Sequence, residues 1–181
     1  MMGEHGFIEK WGILYEEVSR IPLLIKFPKS MHRGTYEAFA EIVDIMPTLL
    51  DAAGIDIPDC VQGQSLMPML RNEAGAAKDE VFGHIFTGGL QREPALMIRK
   101  GAWKLTWYPG QEELHDRLMN DHYLKFTHMF LEDVVDGELY QLDQDPGETH
   151  NLFQDPAYAA RLEAAAAASS LAGWTGAAGR P

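Results

Sequence analysis

The chain has 181 residues, 46 % of them hydrophobic and 10 % aromatic, which is enough to bury the core of one domain of ordinary size. Its 27 acidic and 15 basic side chains give a formal charge of -12, which argues against nucleic acid or an anionic membrane surface as a partner. A single cysteine, Cys60, excludes an internal disulfide and a cysteine-rich metal cage, and no run of about eighteen apolar residues offers a membrane span.

The first half of the chain predicts a buried strand followed by a helix in two pieces. Residues 21–28, IPLLIKFP, are a short apolar run bounded by prolines, which is typical of a strand buried on both faces. Between residues 38 and 53 apolar side chains recur at helical spacing. They are Ile42, Ile45, Met46, Leu49, Leu50 and Ala53. Asp44 and Pro47 mark a break in this helix, and Gly54 suits the position just past its end. A short helical piece is expected near residues 66–70.

The second half predicts a small antiparallel sheet. Residues 81–86 read as a strand, and residues 95–108 read as a hairpin around a tight Lys100-Gly101 turn. Another short strand covers residues 138–142, and a turn-rich segment follows it. The alanine-rich residues 157–171 predict a helix by intrinsic propensity.

Four pieces of the sequence, taken in order, carry a family resemblance. They are GEHGFIEKWGILYEEVSRIPLLI, EIVDIMPTLLDAAGIDIP with QGQSLMPML after it, MIRKGAWKL, and ELYQLDQDPGETHNL. Together they resemble the C-terminal third of the type I sulfatases, within the alkaline-phosphatase-like superfamily. The resemblance implies an α/β fold class, with the last elements of a mainly parallel sheet plus a small antiparallel C-terminal sheet and a packed helix. It divides the chain into the end of the sulfatase α/β core (1–78), a C-terminal antiparallel subdomain (79–172) and a frayed tail (173–181).

The same resemblance places the main catalytic parts outside this sequence. In that family a short Ser-Asp-His-Gly or Ser-Asp-Asn-Gly turn binds a calcium ion, and it would lie a few residues before Met1. The family's nucleophile is a formylglycine made from the first residue of a Cys/Ser-x-Pro-x-Arg motif. Cys60 lacks the Pro and Arg at the required offsets, so it is not that residue. The resemblance therefore implies calcium or another divalent ion and a formylglycine, with no metal ligand in this chain.

Three residues are candidates for the sulfate site. Lys10, five positions after the His of GEHG, matches the family's lysine that contacts the sulfate group, and a positioned cation suits charge on a tetrahedral oxyanion. The alternative is a solvated surface lysine. His5 is either a donor or proton shuttle near the sulfate or a residue that fixes a turn. His84, at the end of a predicted strand, either faces the substrate or is structural.

Several other charged residues are interpreted as structural. Glu16, Glu17 and Arg20 are expected to form an ion-paired support before the apolar run. The acidic cluster in the last quoted piece lacks the Asp/Asn ladder of a calcium loop and is interpreted as a turn that pins the C-terminal subdomain. Lys104 is expected to be a structural strand residue. The spacing of His115, His122 and His128 does not match a zinc site.

The function that the resemblance implies is sulfate ester hydrolysis, on a small-molecule or saccharide sulfate ester, by a full-length enzyme. The chain itself is expected to be inactive alone and to need the missing N-terminal region as its partner. Two alternatives stay open: a phosphodiesterase or phosphonate monoester hydrolase of the same superfamily, and a non-catalytic vestigial or binding module. If the neighbouring strands are missing, apolar surface should be exposed at Leu23, Leu24 and Ile25 and along the helix face.

Overall fold

A computed structural model of the chain describes residues 2–6, 13–27, 34–73, 77–85, 95–108 and 136–162. The chain forms two compact units. One joins Met1–Ile21 to Phe82–Pro181, and the other is Pro22–Val81. The sequence did not predict that the first 21 residues belong with the second half. The predicted domain boundary between residues 78 and 79 stays a prediction. None of the helices in the described ranges has the length and apolar character needed to span a membrane.

A four-stranded sheet is formed by the described residues of the second half. Its strands are β1 (Glu80–Ile85), β2 (Ala95–Lys100), β3 (Trp103–Trp107) and β4 (Gly137–Gln141), in the order β1-β2-β3-β4. β2 and β3 are antiparallel, as are β3 and β4. This confirms the predicted small antiparallel sheet. Lys100 pairs with Trp103, so the hairpin loop is Gly101 and Ala102, one position beyond the predicted turn, and Gly101 supplies the positive φ of 56°.

One face of this sheet is covered by the chain that follows β4. Ile98, Leu105 and Leu139 point to this face, since alternate residues of a strand share one side. The side chains packed there are Trp103, Leu152, Phe153, Tyr158 and Leu162. A helical turn at Pro156–Tyr158 begins the predicted C-terminal helix, with Asp155 accepting a hydrogen bond from the Ala157 N–H at 2.9 Å. The part of that predicted helix beyond residue 162 lies outside the described residues.

The opposite face of the sheet is covered by the N-terminal segment. Leu14 packs with Ala95, Met97 and Tyr108. Its neighbours Ile13 and Tyr15 pack instead with Tyr140 and Leu142, so three consecutive buried residues fill two adjoining clusters. A single helical turn, α1 (Glu16–Ser19), follows directly.

The second unit is organised around a buried aspartate. A 3-10 turn (Ile42–Asp44) leads into α2 (Ile45–Ala53), Gly54 ends α2 in the left-handed conformation, and α3 (Met67–Leu70) follows. This confirms the predicted helix in two pieces, which begins at Ile42 rather than at residue 38, and the helical piece near residue 66. Asp44 is fully buried and accepts hydrogen bonds from the Glu41 and Gln64 N–H groups and from Lys78 Nζ, at 2.7 to 2.9 Å. It therefore fixes the helix start against the loop that precedes α3.

The predicted strand at residues 21–28 is wrong for the described chain. Residues 21–27 have no strand partner, so their backbone lacks the ladder of hydrogen bonds that a strand requires. Leu24 is 89 % exposed. The expected exposure of apolar surface is confirmed, both here and on the outer side of α2. The exposed side chains are Ile21, Leu23, Leu24, Ile25, Ile42, Val43, Ile45, Met46 and Leu49.

Candidate functional site

The GEHG stretch forms a tight turn that presents His5. Gly3 and Gly6 have φ angles of 126° and 75°, and the Gly6 N–H donates to the Gly3 carbonyl at 3.0 Å. Glycine adopts such angles without a steric penalty, which explains why the turn needs both glycines. His5, between them, is also in the left-handed region, with φ at 52°. Left-handed backbone is uncommon for a residue with a side chain.

The imidazole of His5 packs on a buried tyrosine. Its ring is stacked on the Tyr15 ring, with centroids 3.8 Å apart and planes 6° from parallel. His5 is half-buried, whereas Tyr15 is 7 % exposed. The structure therefore gives the His5 ring a defined orientation. Such an orientation is needed both by a proton donor near the sulfate and by a residue that fixes the turn.

The described residues do not show Lys10 or His84 next to His5. Lys10 belongs to residues 7–12, which lie outside the described residues. His84 is exposed on β1, the outer strand of the sheet. The roles of all three residues stay predictions.

A buried ion cluster holds α1, the helical turn that follows the GEHG turn along the chain, against the sheet. Lys104 Nζ lies 2.9 Å from Glu148 Oε1 and 3.2 Å from Glu16 Oε1. Arg99 holds the second oxygen of Glu16 at 2.6 Å, and the Glu16 N–H donates to Glu148 Oε2 at 2.5 Å. Burial raises the pKa of Glu148, and the nearby Lys104 ammonium only partly opposes that rise. The cluster joins α1, the hairpin and the turn after β4.

This cluster confirms part of the structural interpretation. Glu16 is ion-paired, as expected, whereas Glu17 and Arg20 are exposed. The turn at residues 143–148 does pin the chain, because Glu148 reaches α1. Asp145 accepts hydrogen bonds from Thr149 and His150. Burial would raise the pKa of Asp145, but these hydrogen bonds together outweigh it and lower that pKa. No group of three or more His, Cys, Asp or Glu able to hold a metal occurs within the described ranges.

Sequence reasoning missed a third buried carboxylate of the described residues, Glu138. It is 4 % exposed, and its two oxygens accept hydrogen bonds from Tyr15 Oη at 2.9 Å and Tyr108 Oη at 3.0 Å. Burial and the charge of Glu138 raise the pKa of the neighbouring Tyr140 phenol. The available signal was the strand alternation, which places Glu138 and Tyr140 on the face opposite Leu139.

Comparison with known proteins shows that the chain is similar to sulfatases over most of its length. The chain is 32 % identical to an N-acetylglucosamine-6-O-sulfatase of Bacteroides thetaiotaomicron over 87 % of its length, and 30 % identical to an arylsulfatase of Clostridium perfringens over 90 %. It spans only 25 % and 29 % of these two curated relatives. A solved structure, BT4656 in complex with its substrate D-glucosamine-2-N,6-O-disulfate, matches with a TM-score of 0.69 and 28 % identity, covering 91 % of this chain and 30 % of that one.

These similarities define the class as the sulfatases of the alkaline-phosphatase-like superfamily. The model of the family described as N-sulphoglucosamine sulphohydrolase, C-terminal, matches residues 3–122, and the chain belongs to this family. The matched range begins at the GEHG turn and continues past the β2–β3 hairpin.

Proposed function

We propose that this chain is the C-terminal part of an enzyme that hydrolyses sulfate esters, and that Lys10, His5 and His84 line its sulfate site. The observation that carries the proposal is the family match over residues 3–122, which includes GEHGFIEK. The orientation of His5 supports it, because a strained and stacked side chain is typical of a functional constraint.

The chemistry assigns each residue a role. Sulfuryl transfer moves negative charge onto the oxygens of sulfate and of the leaving alcohol, so a cation placed beside them lowers the barrier. The Lys10 ammonium would supply that charge. The His5 imidazole would donate a hydrogen bond or a proton to the departing oxygen, since histidine changes protonation near neutral pH. His84 would contact the substrate rather than the reacting group.

The remaining catalytic parts would come from the rest of the enzyme. A formylglycine would provide the covalent nucleophile. A calcium ion would supply further charge when bound, and the family resemblance implies that its ligands lie in the turn that precedes GEHG. The exposed apolar side of α2 and residues 21–25 supports this arrangement, since apolar surface of this extent needs a covering partner. We infer that the partner is the mainly parallel sheet of the same enzyme.

The relatives indicate the substrate class. One is named for N-acetylglucosamine 6-O-sulfate, and the solved structure holds a glucosamine disulfate. We infer that the full-length enzyme acts on a sulfated saccharide. Related phosphonate and phosphodiester hydrolysis is the alternative that the test must separate.

The experiment compares substrates on the full-length protein that contains this segment. Aryl sulfate, glucosamine 6-sulfate, a phosphonate monoester and a phosphodiester are assayed side by side, with the 181-residue chain as the control. We expect the highest kcat/KM on a sulfate ester and no turnover by the chain alone, which has no nucleophile motif. A preference for the phosphonate or the phosphodiester would contradict the proposal, as would turnover by the chain alone.

A further inference from the structure

The backbone at His5 is held in a conformation that needs compensation. Left-handed backbone is unfavourable for a residue with a side chain, and such strain persists only where surrounding contacts over-determine it. Among the described residues, the His5 imidazole packs on the ring of Tyr15, at a centroid distance of 3.8 Å. The stack therefore fixes where the imidazole points.

Tyr15 is itself fixed by a buried carboxylate. Its Oη donates to Glu138 Oε1 at 2.9 Å, and Tyr108 Oη donates to the other oxygen at 3.0 Å. Glu138 lies on β4, far from Tyr15 in sequence but in a region buried from solvent. A charge-assisted hydrogen bond in such a place is both strong and directional. The ring under His5 is thus tied to the rigid sheet.

We propose that Tyr15 is a positioning residue for His5, and that Glu138 acts through Tyr15 to hold the imidazole in place. The structural part of this inference stands on contacts alone. Its catalytic consequence rests on the proposed function. A loose imidazole would lower turnover by about 10-fold to 10²-fold, the range expected when a reacting group is misplaced by about 1 Å.

The stack is tested first in the 181-residue chain by NMR. The His5 ring protons, assigned by their absence in His5→Ala, should be shifted upfield by the Tyr15 ring. Tyr15→Leu should abolish that shift, while Tyr108→Phe, which removes the other phenol hydroxyl from Glu138, should preserve it. Tyr15→Phe keeps the ring and most of the packing, so it serves where Tyr15→Leu does not fold, and it should reduce the shift. Equal shifts in Tyr15→Phe and Tyr108→Phe would overturn the role of Glu138.

The catalytic consequence is tested in the full-length enzyme by a double-mutant cycle. If Tyr15 acts through His5, Tyr15→Leu and His5→Ala should each lower kcat, and the double variant should be no slower than His5→Ala alone. Losses that multiply would mean that Tyr15 is merely structural and would overturn the proposal. Absence of sulfatase activity would contradict the proposed function instead, and the NMR result would still decide the stack.

Discussion

Lys104 Nζ lies 2.9 Å from Glu148 Oε1, and each of these side chains is only 1 % exposed. The pair links β3 to the turn after β4, and through Glu16 it reaches α1, the helical turn that follows the buried Ile13–Leu14–Tyr15 segment. The support behind the GEHG turn is therefore electrostatic as well as apolar.

Lys104→Met should destabilise the chain strongly. It removes the shared cation and leaves the Glu16 and Glu148 carboxylates buried beside each other, so we expect a loss of about 3–5 kcal/mol in the free energy of unfolding. Urea unfolding of the 181-residue chain measures it. Lys26→Met, at an exposed position, is the control and should change stability by less than about 0.5 kcal/mol. Similar losses in the two variants would contradict the cluster.

Glu148→Gln tests the raised pKa of Glu148 through the pH dependence of stability. A carboxyl with a raised folded-state pKa contributes stability that is complete below the ordinary value of 4.5 and is lost as pH rises through the folded-state pKa. The amide lacks this titration and keeps an acceptor for the Glu16 N–H. The stability of the wild type relative to Glu148→Gln should therefore fall over the pH range above the ordinary value of 4.5. A rise in this relative stability with pH would show instead that Lys104 lowers the pKa of Glu148.

Gly63→Ala should destabilise the unit formed by Pro22–Val81. A Cβ at Gly63 would lie 2.0 Å from the Val43 carbonyl oxygen, and the backbone around the Asp44 turn would have to move. We expect a cost of about 1–3 kcal/mol, which is typical of overpacking. Gly34→Ala is the matched control, because a Cβ there has no heavy atom within 4 Å. Thermal unfolding of both variants, monitored by circular dichroism, measures the difference. An unchanged unfolding midpoint for Gly63→Ala would contradict the close approach of Gly63 to Val43.

The exposed side of α2 should bind hydrophobic dyes. Leu49 is 62 % exposed on this side, so Leu49→Gln should lower the fluorescence of a bound naphthalene-sulfonate dye without loss of helix content. Glu37→Gln, at an exposed polar position, should leave the signal unchanged. A chain that binds no dye at all would mean that this apolar surface is covered in solution.

Local patterns predicted most of the secondary structure because those signals act over a few residues. Alternation and turn residues indicated β2 and β3, and Asp44, Pro47 and Gly54 indicated the broken helix and its end. The strand predicted at residues 21–28 is wrong because an apolar pattern indicates only a preference for burial. A strand also needs a neighbouring strand to pair with.

The partners of the charged residues could not be predicted from the sequence. Tyr15 and Glu138 are 123 positions apart, and Glu16 and Lys104 are 88 apart, so only the packed sheet brings them together. Lys104 was rightly expected to be structural. Its burial in an ion cluster nevertheless makes it an unsuitable control for the kinetics of Lys10, and an exposed lysine such as Lys26 is the better one.

The proposed role of Lys10 is the central claim, and kinetics of the full-length enzyme on an aryl sulfate test it most directly. Lys10→Ala is compared with Lys26→Ala under the same conditions. If the Lys10 ammonium stabilises charge that develops in the transition state, Lys10→Ala should lower kcat by about 10²–10³-fold, while Lys26→Ala stays within a few-fold of the wild type. Small and equal effects for the two lysines would show that Lys10 is an ordinary surface charge and would contradict the assignment of GEHGFIEK to the sulfate site.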